Sequence, residues 1–184
     1  MKVQVICALA ALAPLTSGAS ESLGKHRPSL ESVEFLRQSS FPALGVGDFA
    51  VAPAADGDMN SVTVRFNKRT PPKGESFASY LKASIITELK AGGKYDSAAT
   101  TVITGELVES RLDGSGSAAL AARILVARSG RNVYDKVLRE ESRWDSSLLG
   151  EVAIPDAFNQ YTELYSKLIV HLFQDDTFKT AITP

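Results

Sequence analysis

Three consecutive runs of strand-forming residues, "TTVITGELVESRL", "SAALAARILVAR" and "NVYDKVLREESRW", lie between Thr100 and Trp144 and constrain the fold more than any other feature. The joints between them are short. "DGSG" from Asp113 and "SGRN" from Ser129 place Gly and Asn where tight hairpin turns need positive φ. Together they predict an antiparallel meander. A sheet of this kind needs cover on at least one face to be stable in water.

Two segments have the periodicity to supply that cover. In "FASYLKASIITELKAGG", Phe77, Leu81, Ile85 and Leu89 recur at every fourth residue, and Tyr80 and Ser84 widen the stripe. Ser76 is placed to cap this helix, and Gly92-Gly93 to end it. Near the C-terminus, Ile154, Phe158, Tyr161, Tyr165, Leu168 and Leu172 alternate between spacings of four and three, which is helical. Pro155 suits a first helical position, so this helix is expected to begin near Ile154.

Upstream, "ALGVGDFAVA" between Pro42 and Pro53 reads as a strand, and "SVTVRF" as a second, shorter one. "PAADGDMNS" and "NKRTPPKGES" read as exposed loops, and "SLESVEFLRQSS" as an extended segment, although its spacing also permits a short helix. The sum is an α+β fold, a two-layer sandwich. It has a four- to five-stranded, mainly antiparallel sheet with two amphipathic helices on one face.

The N-terminus carries Lys2, an apolar run from Val3 to Leu15 and the small residues Ser17-Gly18-Ala19. This is the pattern of a secretory signal cut after Ala19, and the run is shorter than the roughly twenty residues of a membrane-spanning helix. Residues 1–19 are read as the signal, 20–28 as a polar tether and 29–184 as a single α+β domain. The lone cysteine, Cys7, lies within the signal, and Ala19 stands where a lipobox would have its cysteine. The mature chain is then free of thiols and spans no membrane. The full sequence of 184 residues carries a formal net charge of -1, with no basic excess to favour nucleic acid.

Several residues mimic catalytic or metal motifs. "GESFA" from Gly74 resembles a nucleophile elbow, and Ser79-x-x-Lys82 follows it, with His171 downstream as a candidate base. The elbow lacks the strand that should lead into it, so capping is the better role for Ser76. Asp56, Asp58 and Asn60 imitate the start of a calcium loop, yet Ser61 and Asn67 occupy places where Gly and a bidentate Glu belong. His26 and His171 make no zinc set, and Asp175-Asp176 reads as the end of the last helix. Neither metal nor cofactor is expected. Tyr161 and Tyr165 are expected in the core with hydroxyls at its edge, and Trp144 as packing.

The middle run of the meander is apolar on both alternations. Leu120, Ala122, Ile124 and Val126 form one, and Ala119, Ala121, Leu125 and Ala127 the other, interrupted by Arg123. A sheet with water on one side should alternate cleanly, so the second face is expected to be covered. The cover is either the segment from Leu30 to Phe41 or a partner, ligand or second subunit. On the latter reading Ala119, Ala121, Arg123, Leu125 and Ala127 form a binding face.

The order of strand, helix, meander and long C-terminal helix from Ala43 to Phe178, with "FASYLKASIITELKAGG" followed by "TTVITGELVES", resembles the auxiliary lipoproteins of lipid-transporting ABC systems. It is also similar in outline to the lipopolysaccharide-assembly lipoprotein. With no catalytic constellation, metal set or phosphate loop and with the export signal, the sequence reads as an exported, non-enzymatic bacterial envelope protein, periplasmic or outer-membrane-associated, which the resemblance would make an accessory component of a transport or assembly system. Such a protein would bind a partner protein or lipid-like ligand, with homo-oligomers in scope. A small serine hydrolase using the Ser76/Ser79 region is the alternative.

Overall fold

The computed structural model describes residues 20–72 and 75–183. The signal segment and Gly74 of the elbow motif lie outside the described residues. Within the described residues two sheets and four helices make an α+β fold: β1 (Ser20–Ser22), α1 (Leu30–Gln38), β2 (Gly45–Asp56), β3 (Val62–Val64), β4 (Asn67–Thr70), α2 (Phe77–Ala91), β5 (Thr101–Asp113), β6 (Ser117–Arg128), β7 (Arg131–Arg143), α3 (Gly150–Gln174) and α4 (Asp176–Ile182).

The main sheet has the order β2-β5-β6-β7, and its last three strands are the expected meander. Ser129 and Gly130 both take positive φ in the β6–β7 turn, as does Gly116 in the β5–β6 turn. Asn132 is already in β7. The sheet is mixed because β2 pairs parallel to β5, with α2 returning the chain between them. β1, β4 and β3 form a separate three-stranded sheet that the sequence reading did not contain.

α2 packs on β2 and β5, α3 on β6 and β7, and α4 on β6 and β7, all on one face. The core between the layers holds Phe77, Leu81, Ile85 and Leu89 from α2 against Ile103, Leu107, Leu120, Ile124, Tyr161, Leu168 and Leu172, all 0% exposed. Phe49 lies over Gly105, where a Cβ would come within 2.5 Å of its ring. Tyr161 and Tyr165 are wholly buried, not edge residues; Ser110 Oγ meets the Tyr161 hydroxyl at 2.8 Å, which meets that of Tyr165 at 3.0 Å. Their hydroxyls satisfy one another, so burial costs no orphaned donor. Trp144 is partly buried against the core.

Two local expectations are corrected, and a third is met with an addition. Leu30–Gln38 is a helix, capped by Ser29, whose side chain accepts from Ser32 N–H. It packs on α2 and α3, and a Cβ on Gly92 would meet Leu36 Cβ at 2.5 Å, so the glycine admits this helix. α3 starts at Gly150, so Pro155 lies inside it. Asp175 ends α3, and its side chain accepts from Phe178 N–H at 2.9 Å, starting α4.

Residues 20–28, read as a tether, are held by the fold. β1 pairs with β4, Leu23 is buried and Tyr80 donates to Gly24 O at 3.1 Å. The strongest tie is Glu88 of α2, 0% exposed, which accepts from Ser29 N–H at 2.9 Å, bonds His26 Nε2 at 2.8 Å and accepts from the Ser32 hydroxyl. Burial pushes the Glu88 carboxyl up, but the bonds from His26, Ser32 and Ser29 outweigh it and leave it below the usual carboxylate range.

Candidate interaction surface

Among the described residues no helix lies on the second face of the main sheet, and the segment from Leu30 to Phe41 does not cross it. Ala119 and Ala121 are nonetheless only 2% exposed. The reason is the register. Ala121 lies opposite Glu109 of β5 on one side and Arg139 of β7 on the other. The side chain at 121 is a single methyl, so its long neighbours meet above it. Arg139 Nε donates to Glu109 Oε2 at 2.7 Å and Nη2 to Oε1 at 3.2 Å, a bidentate pair across the middle strand. Arg139 also pairs with Glu141, and Arg111 reaches Glu109 at 3.4 Å.

Further along β6 the pattern repeats with the arginine on the central strand. Arg123 donates to Asp135 through Nε at 2.7 Å and Nη2 at 2.6 Å, and approaches Glu106 at 3.8 Å on the opposite strand. The hydrogen bonds from Arg123 hold the Asp135 carboxyl below its ordinary range. Leu125 and Ala127 are half-buried beside this group, and Val137 of β7 is 54% exposed. The expected binding face therefore divides. Ala119 and Ala121 are floor under paired charges, while Arg123, Leu125 and Ala127 reach solvent.

A β-bulge supplies the acidic half of the bridge. The β5–β6 register slips between Leu107 and Glu109, so Ile103 and Leu107 face the helices while Glu109, of the same parity, faces out. Strict alternation would have turned Glu109 into the apolar core; instead it is buried on the outer face under Arg139 and Arg111. The partner charges on β7 were legible, since Asp135, Val137, Arg139 and Glu141 share one alternation of "YDKVLREE".

The other motif residues are dispersed. Ser76 caps α2 by accepting from Ser79 N–H at 3.1 Å, and the two serine hydroxyls lie 3.2 Å apart. His171 pairs instead with Glu140 at 2.6 Å, so serine and histidine are not joined. Lys82 of the Ser-x-x-Lys pair reaches Asp48 at 3.2 Å. Asp58 caps its own loop, accepting from Asn60 N–H at 2.8 Å and the Ser61 hydroxyl at 2.5 Å, while Asp56 turns toward Arg111 at 3.8 Å. Among the described residues no three His, Cys, Asp or Glu side chains cluster as a metal set. A groove of about 760 Å³ runs along α3, lined by Glu31, Glu140, Glu163, Lys167 and His171. Its charged side chains are paired with one another, as in Lys167 to Glu163 at 3.6 Å and His171 to Glu140, and Gln174 donates to Glu31 at 3.0 Å.

No protein-family model matches the chain, and no curated protein is significantly similar to it. Solved structures similar in layout include protein XCC0632 of Xanthomonas campestris, assigned to the family DUF330. It is 15% identical, with 83% of this chain and 93% of that one covered, at a TM-score of 0.47. A candidate lipoprotein of Caulobacter crescentus is 13% identical over 83% of this chain and 97% of its own, at 0.45. A PelC dodecamer of Paraburkholderia phytofirmans is 20% identical over 75% and 95%, at 0.40.

Proposed function

We propose that this chain is an exported, non-enzymatic protein of a bacterial cell envelope, an accessory component of a transport or assembly system. It binds a partner protein through the bare face of its main sheet. The observation that carries this reading is the one-sided packing: among the described residues every helix lies on one side of the main sheet, and the opposite face presents Leu125, Ala127 and Val137 among ordered arginine–carboxylate pairs. A flat surface with an apolar centre and pre-paired charges suits a protein interface better than a lipid tail, which needs an apolar cavity. Export is supported by the pattern of residues 1–19, and the absence of catalysis by the separate engagements of Ser76, Ser79 and His171.

The test is Leu125→Glu with Val137→Glu, two changes that touch solvent and leave the alanine floor alone. The expected result is an unchanged melting temperature with loss of the protein's complex from envelope extracts on native electrophoresis. A complex that survives in the folded double variant overturns the reading. Labelling by a fluorophosphonate that disappears in Ser76→Ala or Ser79→Ala would establish the hydrolase instead.

A further inference from the structure

The two edges of the main sheet differ in how open they are to another strand. β2 carries Pro53, and its register against β5 slips between Val46 and Phe49 and again between Val51 and Asp56, features that discourage a further strand. β7 has no proline, and its register against β6 is unbroken from Tyr134 to Arg143. Among the described residues no strand pairs with its outer side.

The register also fixes which backbone groups point outward. Arg143 pairs with Ser117, and one step on Trp144 N–H donates to Gly116 O at 3.0 Å. Bonded pairs alternate along an antiparallel ladder, so the even-numbered residues from Lys136 to Ser142 bond β6, while Asp135, Val137, Arg139 and Glu141 aim their N–H and C=O groups at the open edge. The same four residues are exposed and share one alternation of the strand.

Their order of charge is self-complementary. A second β7 laid antiparallel about Val137 sets Val137 against its own copy and each Asp135 against Arg139 of the other chain. No neighbouring register does this: centring on Lys136 opposes two lysines, centring on Leu138 opposes Asp135 to Glu141, and centring on Asp135 or Arg139 opposes a charge to itself. Arg131 and Arg143, the like-charged pair that remains, fall at the ends of the strand. The groups that would meet have capacity for it. Glu109 and Glu141 engage Nε and one N–H on each of Nη1 and Nη2, so Arg139 keeps a second N–H on both, and each Asp135 oxygen accepts one bond from Arg123 with a lone pair to spare.

We propose that two copies of this chain join along β7 about a two-fold axis at Val137, doubling the four-stranded sheet. The charges Glu106, Arg123 and Asp135 of one copy then continue into Arg139 and Glu109 of the other, and the two bare faces become one wider surface. This goes beyond the partner reading, which needs only the face of one copy.

Sedimentation of the purified protein carrying Cys7→Ser tests it. At concentrations up to about 100 μM, the range of weak specific interfaces, the parent should sediment as a dimer. Val137→Lys and Val137→Glu, changes at an exposed side chain, should keep the parent's urea melt and each be monomeric, because the axis opposes each new charge to itself. An equal mixture of the two should recover the dimer. Val137→Cys should form an intermolecular disulfide on mild oxidation, since opposed Cα atoms lie about 5.5 Å apart in such a pair, and Leu125→Cys, one strand inward, should not. A monomeric parent, a dimer of either charged variant alone, a mixture that stays monomeric, or equal crosslinking at both cysteines overturns the proposal. Purified protein holds no envelope partner, so these outcomes leave the partner reading standing; that reading fails separately, when its complex survives in Leu125→Glu with Val137→Glu.

Discussion

Removing the Glu88 carboxylate should detach the N-terminal segment and destabilise the whole domain. Glu88 is 0% exposed and its two oxygens hold three donors from residues 26–32, with the His26 side chain itself only 4% exposed. Glu88→Ala strands Ser29 N–H, the Ser32 hydroxyl and His26 together. A buried group left unpaired costs about 1–3 kcal/mol, and water entering beside His26 relieves part of this, so the expected loss is about 3–4 kcal/mol. With a urea m-value of about 2 kcal/mol/M for a domain of this size, the midpoint should fall by roughly 1.5–2 M. Glu88→Gln keeps an acceptor for Ser29 N–H and should lose about half as much. Hydrogen exchange should quicken at Leu23 to Ser32 before it does in β5 and β6. A Glu88→Ala midpoint within about 0.3 M of the parent would refute this account of the anchor.

Acid should act through the same group. The folded carboxyl of Glu88 is depressed, as is that of Asp175, where the bonds from Lys136, Thr177 and Phe178 N–H outweigh the upward push of burial. Their contribution is therefore full above the unfolded carboxylate values and lost as pH falls through the lower folded ones. Urea midpoints should drop below about pH 4, and the drop should shrink in Glu88→Gln with Asp175→Asn. Gly105→Ala forces the new methyl into the Phe49 ring and should cost about 1–3 kcal/mol by the same melt. Ser76→Ala should cost about 1 kcal/mol as a lost cap, while Leu81→Asp should abolish the cooperative transition. Ala121→Glu, almost fully buried beneath the Arg139–Glu109 bridge, should destabilise strongly, whereas Leu125→Glu, opposite Asp135 but half in solvent and beside Arg123, should cost far less.

Elements with strong local signals were legible, and those decided by tertiary contacts were not. The meander, the Ser76 cap and the phases of α2 and α3 follow from alternation and spacing alone. α1 was misread because Ser32 and Leu36 are its only buried residues; its helicity depends on the Ser29 cap and on Gly92 beneath it. The β3–β4 hairpin was invisible because its turn is Arg65-Phe66, with no glycine or asparagine to announce it. β1 has too few residues to show a period, and its place depends on Glu88 and Tyr80 far along the chain. The apolar character of Ala119 and Ala121 was legible, but their cover was sought in the segment from Leu30 to Phe41 or in a partner, ligand or second subunit, not in side chains of the neighbouring strands. Alanine shows only that something large passes close by, and the bulge at Val108 that turns Glu109 outward leaves no local mark.

The central claim is that the bare sheet face meets a protein in the envelope. Site-specific photo-crosslinking in intact cells tests it most directly, with the crosslinker placed in turn at Leu125, at Val137 and at Ala83 on the exposed side of α2. The account predicts one common crosslinked partner from positions 125 and 137, none from 83, and loss of the Leu125 product when Val137→Glu is added. Equal crosslinking from all three positions, or none from the sheet face in a folded and exported protein, would contradict it.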